Sequence, residues 1–296
     1  MTDEIIALVG PTGSGKTSLS LALAERWGAE IVNCDSRQVF RGLDIGTAKP
    51  TAAERARAPH HLFDVVDPDE PFDAARYAAL GRAVIDAIRG RGRRVVVVGG
   101  TGLYLKALRF GLFAGPPADA ALRTELLAEE AAAPGALHAR LSRVDPASAA
   151  RLHARDRVRL VRALEVFQLT GRRLSDWHAA HRAANDELAM RVVGLHVPRA
   201  ALYARLDTRC EAMLAGGLLD EIRALWARGY GPELPALRSI GYRQMGAHLR
   251  GEVDLATALA AMQRATRQFA KRQVTWFRAD PTVQWVAADT AVHALV

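Results

Sequence analysis

The sequence is short of cysteine, of lysine and of long apolar runs, and each shortage closes off a class of protein. Cys34 and Cys210 are the only thiols among 296 residues; they make no C-x-x-C pair and imply no disulfide, so a reducing cytosol is the simplest setting. No apolar run approaches the ~20 residues that span a bilayer. Strand-like residues begin within four positions of the start, leaving no room for a leader. The expectation is a cytoplasmic protein without a membrane segment. Lysine supplies only four of the forty basic residues, Lys16, Lys49, Lys106 and Lys271, so where the arginines fall means more than that they are arginines. There is no internal repeat and no low-complexity tract beyond an alanine bias.

What is present points to phosphate. A net charge of +8 and a pI near 10.1 suit an anionic partner larger than a nucleotide. The length and the 50% apolar content allow one large or two medium domains with real cores. After the apolar run Ile5 to Val9 comes Gly10-Pro11-Thr12-Gly13-Ser14-Gly15-Lys16-Thr17, followed by a helical pattern from Ser18. Strand, glycine turn and helix in that order match the phosphate-binding loop G-x-x-x-x-G-K-[ST]. Glycines let the backbone close around phosphate oxygens at the positive end of a helix. Lys16 adds a charge there, and the Thr17 hydroxyl is placed for a magnesium ion. A chance Gly/Ser turn is the other reading, and the flanking strand and helix weigh against it.

Apolar runs continue at 29–35, 59–66, 93–98 and 191–197, alternating with helical stretches such as 72–88 and 103–108. Strands alternating with helices predict an α/β fold: a phosphate-loop-type parallel sheet flanked by helices, with ligands at the carboxyl ends of the strands. Asp35 and Thr101 both lie just past strand ends, beside the glycine loop. From about 118 to 190 strand signals vanish, and helices are separated by Pro134-Gly135, Asp145-Pro146 and Thr170-Gly171. The domains expected are therefore a core of 1–117 with 191–296 and an all-helical insertion of 118–190. A long helix over 199–228 should break near Gly216-Gly217, another runs over 255–278, and an edge strand lies near Val283 to Val286.

Arginine outnumbers acid ten to four between 137 and 182, with Arg155, Arg159 and Arg162 at helical spacing opposite Leu160, Leu164 and Phe167. Arg264, Arg267, Lys271 and Arg278 make a second stripe. Either stripe alone reads as a solvated face; together with a phosphate loop they favour a nucleic acid.

A kinase or other ATP-binding, nucleotide-binding enzyme is the default for such a loop. Yet Gly99-Gly100-Thr101 follows Val95 to Val98 where a magnesium-holding acid should stand. The acid at a strand end is Asp35, placed either to take a proton from a substrate or to cap a turn. The adjacent His60 and His61 lack further spaced ligands and read as structural.

The blocks Gly10 to Thr17, Asp35 to Phe40, Asp44 to Pro50, Gly99 to Tyr104, Arg205 to Arg209, Arg238 to Met245 and Thr266 to Arg278 together resemble the tRNA dimethylallyltransferase (tRNA isopentenyltransferase) family. Without a Cys/His metal finger after the core, the chain is similar to the shorter bacterial form. The resemblance implies a transferase for tRNA modification, a prenyltransferase in tRNA processing. It would move a dimethylallyl group from dimethylallyl diphosphate to N6 of adenosine 37, next to the tRNA anticodon, and release diphosphate. It further implies that the loop 10–17 holds the donor's diphosphate with Mg2+ at Thr17, and that Asp35, Thr101 and Arg209 serve the chemistry, with Arg205 adding positive charge. The tRNA anticodon stem-loop would meet Asp35, Ser36, Arg37, Gln38, Thr101 and Arg123; Arg159, Leu160, Val161, Arg162 and Ala163; Arg238, Ser239, Ile240, Gly241, Tyr242 and Arg243; and Lys271, Arg272 and Arg278. The aromatics Tyr242, Trp276 and Phe277 could stack on bases or fill the core. A monomer is expected. An ATP-dependent small-molecule kinase and a non-catalytic RNA-binding protein remain the alternatives.

Overall fold

The computed structural model describes residues 4–183, 187–291 and 295. In chain order the first half runs β1 (Ile5–Val9), α1 (Lys16–Trp27), β2 (Glu30–Asn33), α2 (Ala52–Arg57), β3 (His60–His61), α3 (Ala74–Gly90), β4 (Val95–Val98) and α4 (Gly102–Phe110). Five helices follow: α5 (Ala120–Ala132), α6 (Ala136–Val144), α7 (Pro146–Ala149), α8 (Arg157–Thr170) and α9 (Leu174–Ala183). The chain closes with β5 (Met190–His196), α10 (Arg199–Ala215), α11 (Leu218–Ala227), α12 (Tyr242–Leu249), α13 (Leu255–Arg278) and β6 (Gln284–Ala287).

Every residue of β1 and β2 is buried, as expected of strands covered on both faces. The six strands pair in parallel in the order β3-β2-β4-β1-β5-β6, with Ile6 beside Val96 and Val32 beside Val97. That order sets the carboxyl ends of β2, β4 and β1 side by side. Apolar side chains from α3 and α4 (Tyr77, Ile85, Leu108) cover one face; Leu19 and Leu23 of α1 lie on the other. Local chemistry places the helix ends. Asp73 accepts from the amides of Ala75 and Arg76 to open α3, and a Thr51–Glu54 capping box opens α2. Gly217, at φ 99°, separates α10 from α11. The short helices α2 and α12 are not evident in the apolar periodicity.

The chain divides into two compact units, Met1–Arg109 with Leu188–Val296, and Phe110–Glu187. The first junction comes eight residues earlier than 117 and the second three earlier than 190. The helical stretch is demarcated by the backbone bond from the Leu188 amide to the Arg109 carbonyl (2.8 Å), and not by Gly115-Pro116-Pro117. The second unit has its own core of Leu126, Leu137, Leu141, Leu160, Leu164 and Val166.

Candidate active site

The turn after β1 is folded around its own lysine. Gly13 sits at φ 79°, and a Cβ there would come within 2.8 Å of Leu206. The Lys16 ammonium folds back onto the carbonyls of Gly10 (3.0 Å) and Pro11 (2.7 Å). Burial lowers its pKa to about 8; the Asp35 carboxylate partly opposes that fall and Arg209 adds to it. Ser14 Oγ is buried in the same turn without a hydrogen-bond partner among the described residues. A desolvated ammonium and an orphaned hydroxyl in one glycine turn fit an anion with several oxygens.

Beyond β2, the buried Asn33 side chain accepts from the Asp35 amide (3.1 Å) and donates to the carbonyls of Leu62 (2.9 Å) and Asp35 (3.3 Å). Asp35 Oδ1 accepts from the Arg37 amide (2.8 Å), while Oδ2 has no donor among the described residues. Thr101, just past β4, accepts from the Ser36 amide (3.0 Å) and donates to Ser36 Oγ (3.3 Å). Gly99 has to be glycine here, because a Cβ would lie 2.0 Å from the Cys34 carbonyl. Asp35, Thr101 and the phosphate turn therefore share the carboxyl end of the sheet, as the sequence pattern predicts. Cys34 lies beneath them as a free, buried thiol whose pKa is pushed up to about 12 by desolvation; Cys210 is also free.

Arg209 of α10 reaches Thr12 Oγ1 (3.4 Å), and burial lowers its pKa, whereas Arg205 is exposed to solvent. One participant escaped the sequence reading. Gln273 of α13, 5% exposed, accepts from the Thr12 amide (2.8 Å) and donates to the Gly100 carbonyl (2.9 Å). Its signal was a polar residue in the apolar stripe Ala270–Gln273–Phe277.

The loop after β2 is organised around buried charge. Glu221 accepts from the amides of Asp44, Ile45 and Gly46 and from the Tyr242 hydroxyl (2.6 Å). Lys49 bonds Asp44, Asp64 and the Phe40 carbonyl. Gln38 spends its amide hydrogens on the carbonyls of Thr47 (3.0 Å) and Ala48 (3.1 Å), and Arg37 reaches the Pro235 carbonyl (3.3 Å).

Of the residues matched to RNA contact in this unit, Arg238, Arg243, Lys271, Arg272 and Arg278 are exposed without an acidic partner among the described residues. Ser239, Gly241 and Tyr242 are buried and Ile240 is partly buried. Tyr242 lies against Gly46 and Phe277 is 2% exposed, so core packing holds for both; Trp276, 47% exposed, is the aromatic left open. Arg267 pairs with Asp207, which removes it from the free stripe.

In the helical unit Leu160, Val161 and Ala163 face the core and are not surface groups. Arg155 precedes α8 and does not join its face. Arg159 is exposed beside Asp156, and Arg162 and Arg123 both bind Glu165, with Nε–Oε1 2.7 Å for Arg123. Glu165, 0% exposed, is thereby held at a pKa of about 2 despite its burial. His61 and Arg91 share Glu30 at the sheet edge, a structural role. Among the described residues no group of three His, Cys, Asp or Glu side chains is placed to hold a metal.

A parallel sheet with a glycine turn at the head of α1 and a lysine folded into it defines an α/β protein of the phosphate-loop class. Residues 38–280 match the IPP transferase family model, and 3–64 match isopentenyl transferase. A tRNA dimethylallyltransferase of Syntrophobacter fumaroxidans is 52% identical over 99% of this chain and 85% of its own length. One from Anaeromyxobacter sp. strain K is 54% identical over 99% and 95%. Among solved structures, a tRNA isopentenylpyrophosphate transferase of Bacillus halodurans is 37% identical (TM-score 0.72), covering 99% of this chain and 94% of that one. A eukaryotic dimethylallyltransferase acting on tRNA is 29% identical (TM-score 0.78), covering 97% and 74%. The chain belongs to the IPP transferase family.

Proposed function

We infer that this chain is a tRNA prenyltransferase that moves the dimethylallyl group of dimethylallyl diphosphate to N6 of adenosine 37, beside the anticodon, and releases diphosphate. The observation that carries the reading is the shared carboxyl end of the sheet: a turn shaped for diphosphate stands next to a carboxylate with one oxygen free of donors among the described residues. The relatives' name, tRNA dimethylallyltransferase, supports a dimethylallyl group as the cargo and tRNA as the acceptor, and lends nothing to an ATP-dependent kinase.

In this reading the amides of residues 10–17, Lys16 and Arg209 take up negative charge as the carbon–oxygen bond of the donor breaks. The adenine leaves its stack to enter the crevice. As its nitrogen bonds the departing carbon, its proton passes to Asp35 Oδ2. Thr101, tied to Ser36, keeps the Asp35 loop in register. Trp276 and the exposed basic groups 238, 243, 271, 272 and 278 meet the RNA. In the helical unit that role falls to Arg159, with Arg123 and Arg162 anchored on Glu165. The Thr17 hydroxyl and the turn's hard oxygens suit Mg2+, which would be held mainly by diphosphate and water and would supply charge neutralisation. A cytosolic monomer completes the reading; no helix among the described residues is long and apolar enough to cross a membrane.

Purified chain given labelled dimethylallyl diphosphate and unmodified tRNA should label the RNA without ATP. ATP consumption with a phosphorylated small product would make it a kinase, and RNA binding with no transfer would leave a binding protein.

A further inference from the structure

We propose that Gln273 is a positioning residue that clips the diphosphate turn to the loop carrying Thr101, and so sets the spacing between the leaving group and the attacking nitrogen. The proposal rests on the transferase reading above. One amide side chain, from a helix far away in sequence, uses both of its ends. Its oxygen holds the Thr12 amide at 2.8 Å and its nitrogen holds the Gly100 carbonyl at 2.9 Å. Gly100 is shaped to this clip: a Cβ there would sit 2.1 Å from Gln273 Nε2 and 3.4 Å from the Gly10 carbonyl. From Gly100 the path runs to Thr101, then to the Ser36 amide, one residue from Asp35. On the other side, Thr12 also meets Arg209. Two strand-end loops that share no direct hydrogen bond among the described residues are thus bridged through one buried side chain.

The physical reason for such a clip is the reaction. Transfer needs the departing oxygen, the carbon and the nitrogen in line, and a misplacement near 1 Å costs about a hundredfold in rate. A glycine turn is soft, so a third element must fix it. Gln273 touches neither substrate in this scheme, so its removal should slow turnover and leave binding largely intact.

The test compares Gln273→Met, Gly100→Ala and the double variant Gln273→Ala/Gly100→Ala with the wild type. Gln273→Met keeps the volume and loses both bonds. Expected are a kcat lower by about a hundredfold, KM values for donor and tRNA within about threefold, and at least tenfold faster hydrogen exchange of the Thr12 amide. Gly100→Ala alone should destabilise the chain by collision with Gln273. In the double variant the collision is gone, so the melting temperature should recover while kcat stays low. Recovery of kcat together with stability would reduce Gln273 to packing and overturn the proposal. So would unchanged turnover in Gln273→Met, a loss of tRNA affinity equal to the loss of rate, or failure of both Gln273 variants to fold. Thr12 exchange reads the clip without any transfer, so a wild-type chain that fails to prenylate would sink the parent reading separately.

Discussion

Asp35 and Lys16 divide the chemistry between a proton and a charge. Asp35→Ala should lower transfer by about a hundredfold or more, the usual worth of a positioned base, while tRNA affinity in filter binding stays within a few-fold. Equal loss of both would make Asp35 a turn-former only, the role its bond to the Arg37 amide already performs. Lys16 makes a pH prediction. Its pKa falls from 10.5 to about 8 in the folded chain, so the folded state holds fewer protons than the unfolded one between those values. Burying the ammonium therefore weakens the fold below pH ~8, and that penalty fades as pH rises through the window. Diphosphate binding has the opposite sense, because the ammonium is the form that attracts the anion. Above about pH 8, affinity for inorganic pyrophosphate should fall by up to tenfold per pH unit relative to Lys16→Arg, whose guanidinium stays charged and which shares the ligand's own ionisation. Calorimetric titration of both chains across that range reads the inflection in their ratio.

At the scale of elements, close approach and buried charge do the positioning. Gly99→Ala puts a methyl 2.0 Å from the Cys34 carbonyl, between the ends of β2 and β4. An overpacking penalty of about 1–3 kcal/mol is expected, read as a lower melting temperature together with slower transfer, since Asp35 and Thr101 ride on those strand ends. In the helical unit, Glu165→Gln should cost about 2 kcal/mol, the scale of lost hydrogen bonds to charged groups. Because the Glu165 carboxyl is depressed from 4.5 to about 2, its contribution is complete above pH ~4.5 and is lost as pH falls towards 2. Urea unfolding near pH 7 and near pH 3 should show the wild type approaching the variant at the lower value. The sequence displayed Arg162 and Glu165 at i,i+3 spacing on one helix, but not that Arg123, 42 positions away, shares the same carboxylate.

For the whole molecule, the net charge of +8 predicts RNA binding that weakens steeply with salt. Replacing Lys271, Arg272 and Arg278 by Gln should reduce the slope of log affinity against log salt by about 2 to 3, with the donor's KM unchanged. Equal slopes for variant and wild type would take α13 out of the RNA interface. Arginine counts alone overstate that surface, because Arg267, Arg123 and Arg162 each spend charge on an acid inside the protein.

The short helices α2 and α12 were not legible in the sequence, whereas the sheet strands and the longer helices, the glycine turn, the strand-end place of Asp35 and Thr101, and the family were. Each rests on local chemistry: period, turn residues and motif spacing act over a few positions of chain. Only the folded chain decided which basic groups stay free, that Tyr242 and Phe277 are core while Trp276 is open, and that Gln273 joins Thr12 to Gly100. Those outcomes depend on contacts between residues as far apart as 261 positions, where no local pattern records which side chain meets which. Burial and charge pairing are settled by packing, and packing exists only once the sheet has brought distant segments together.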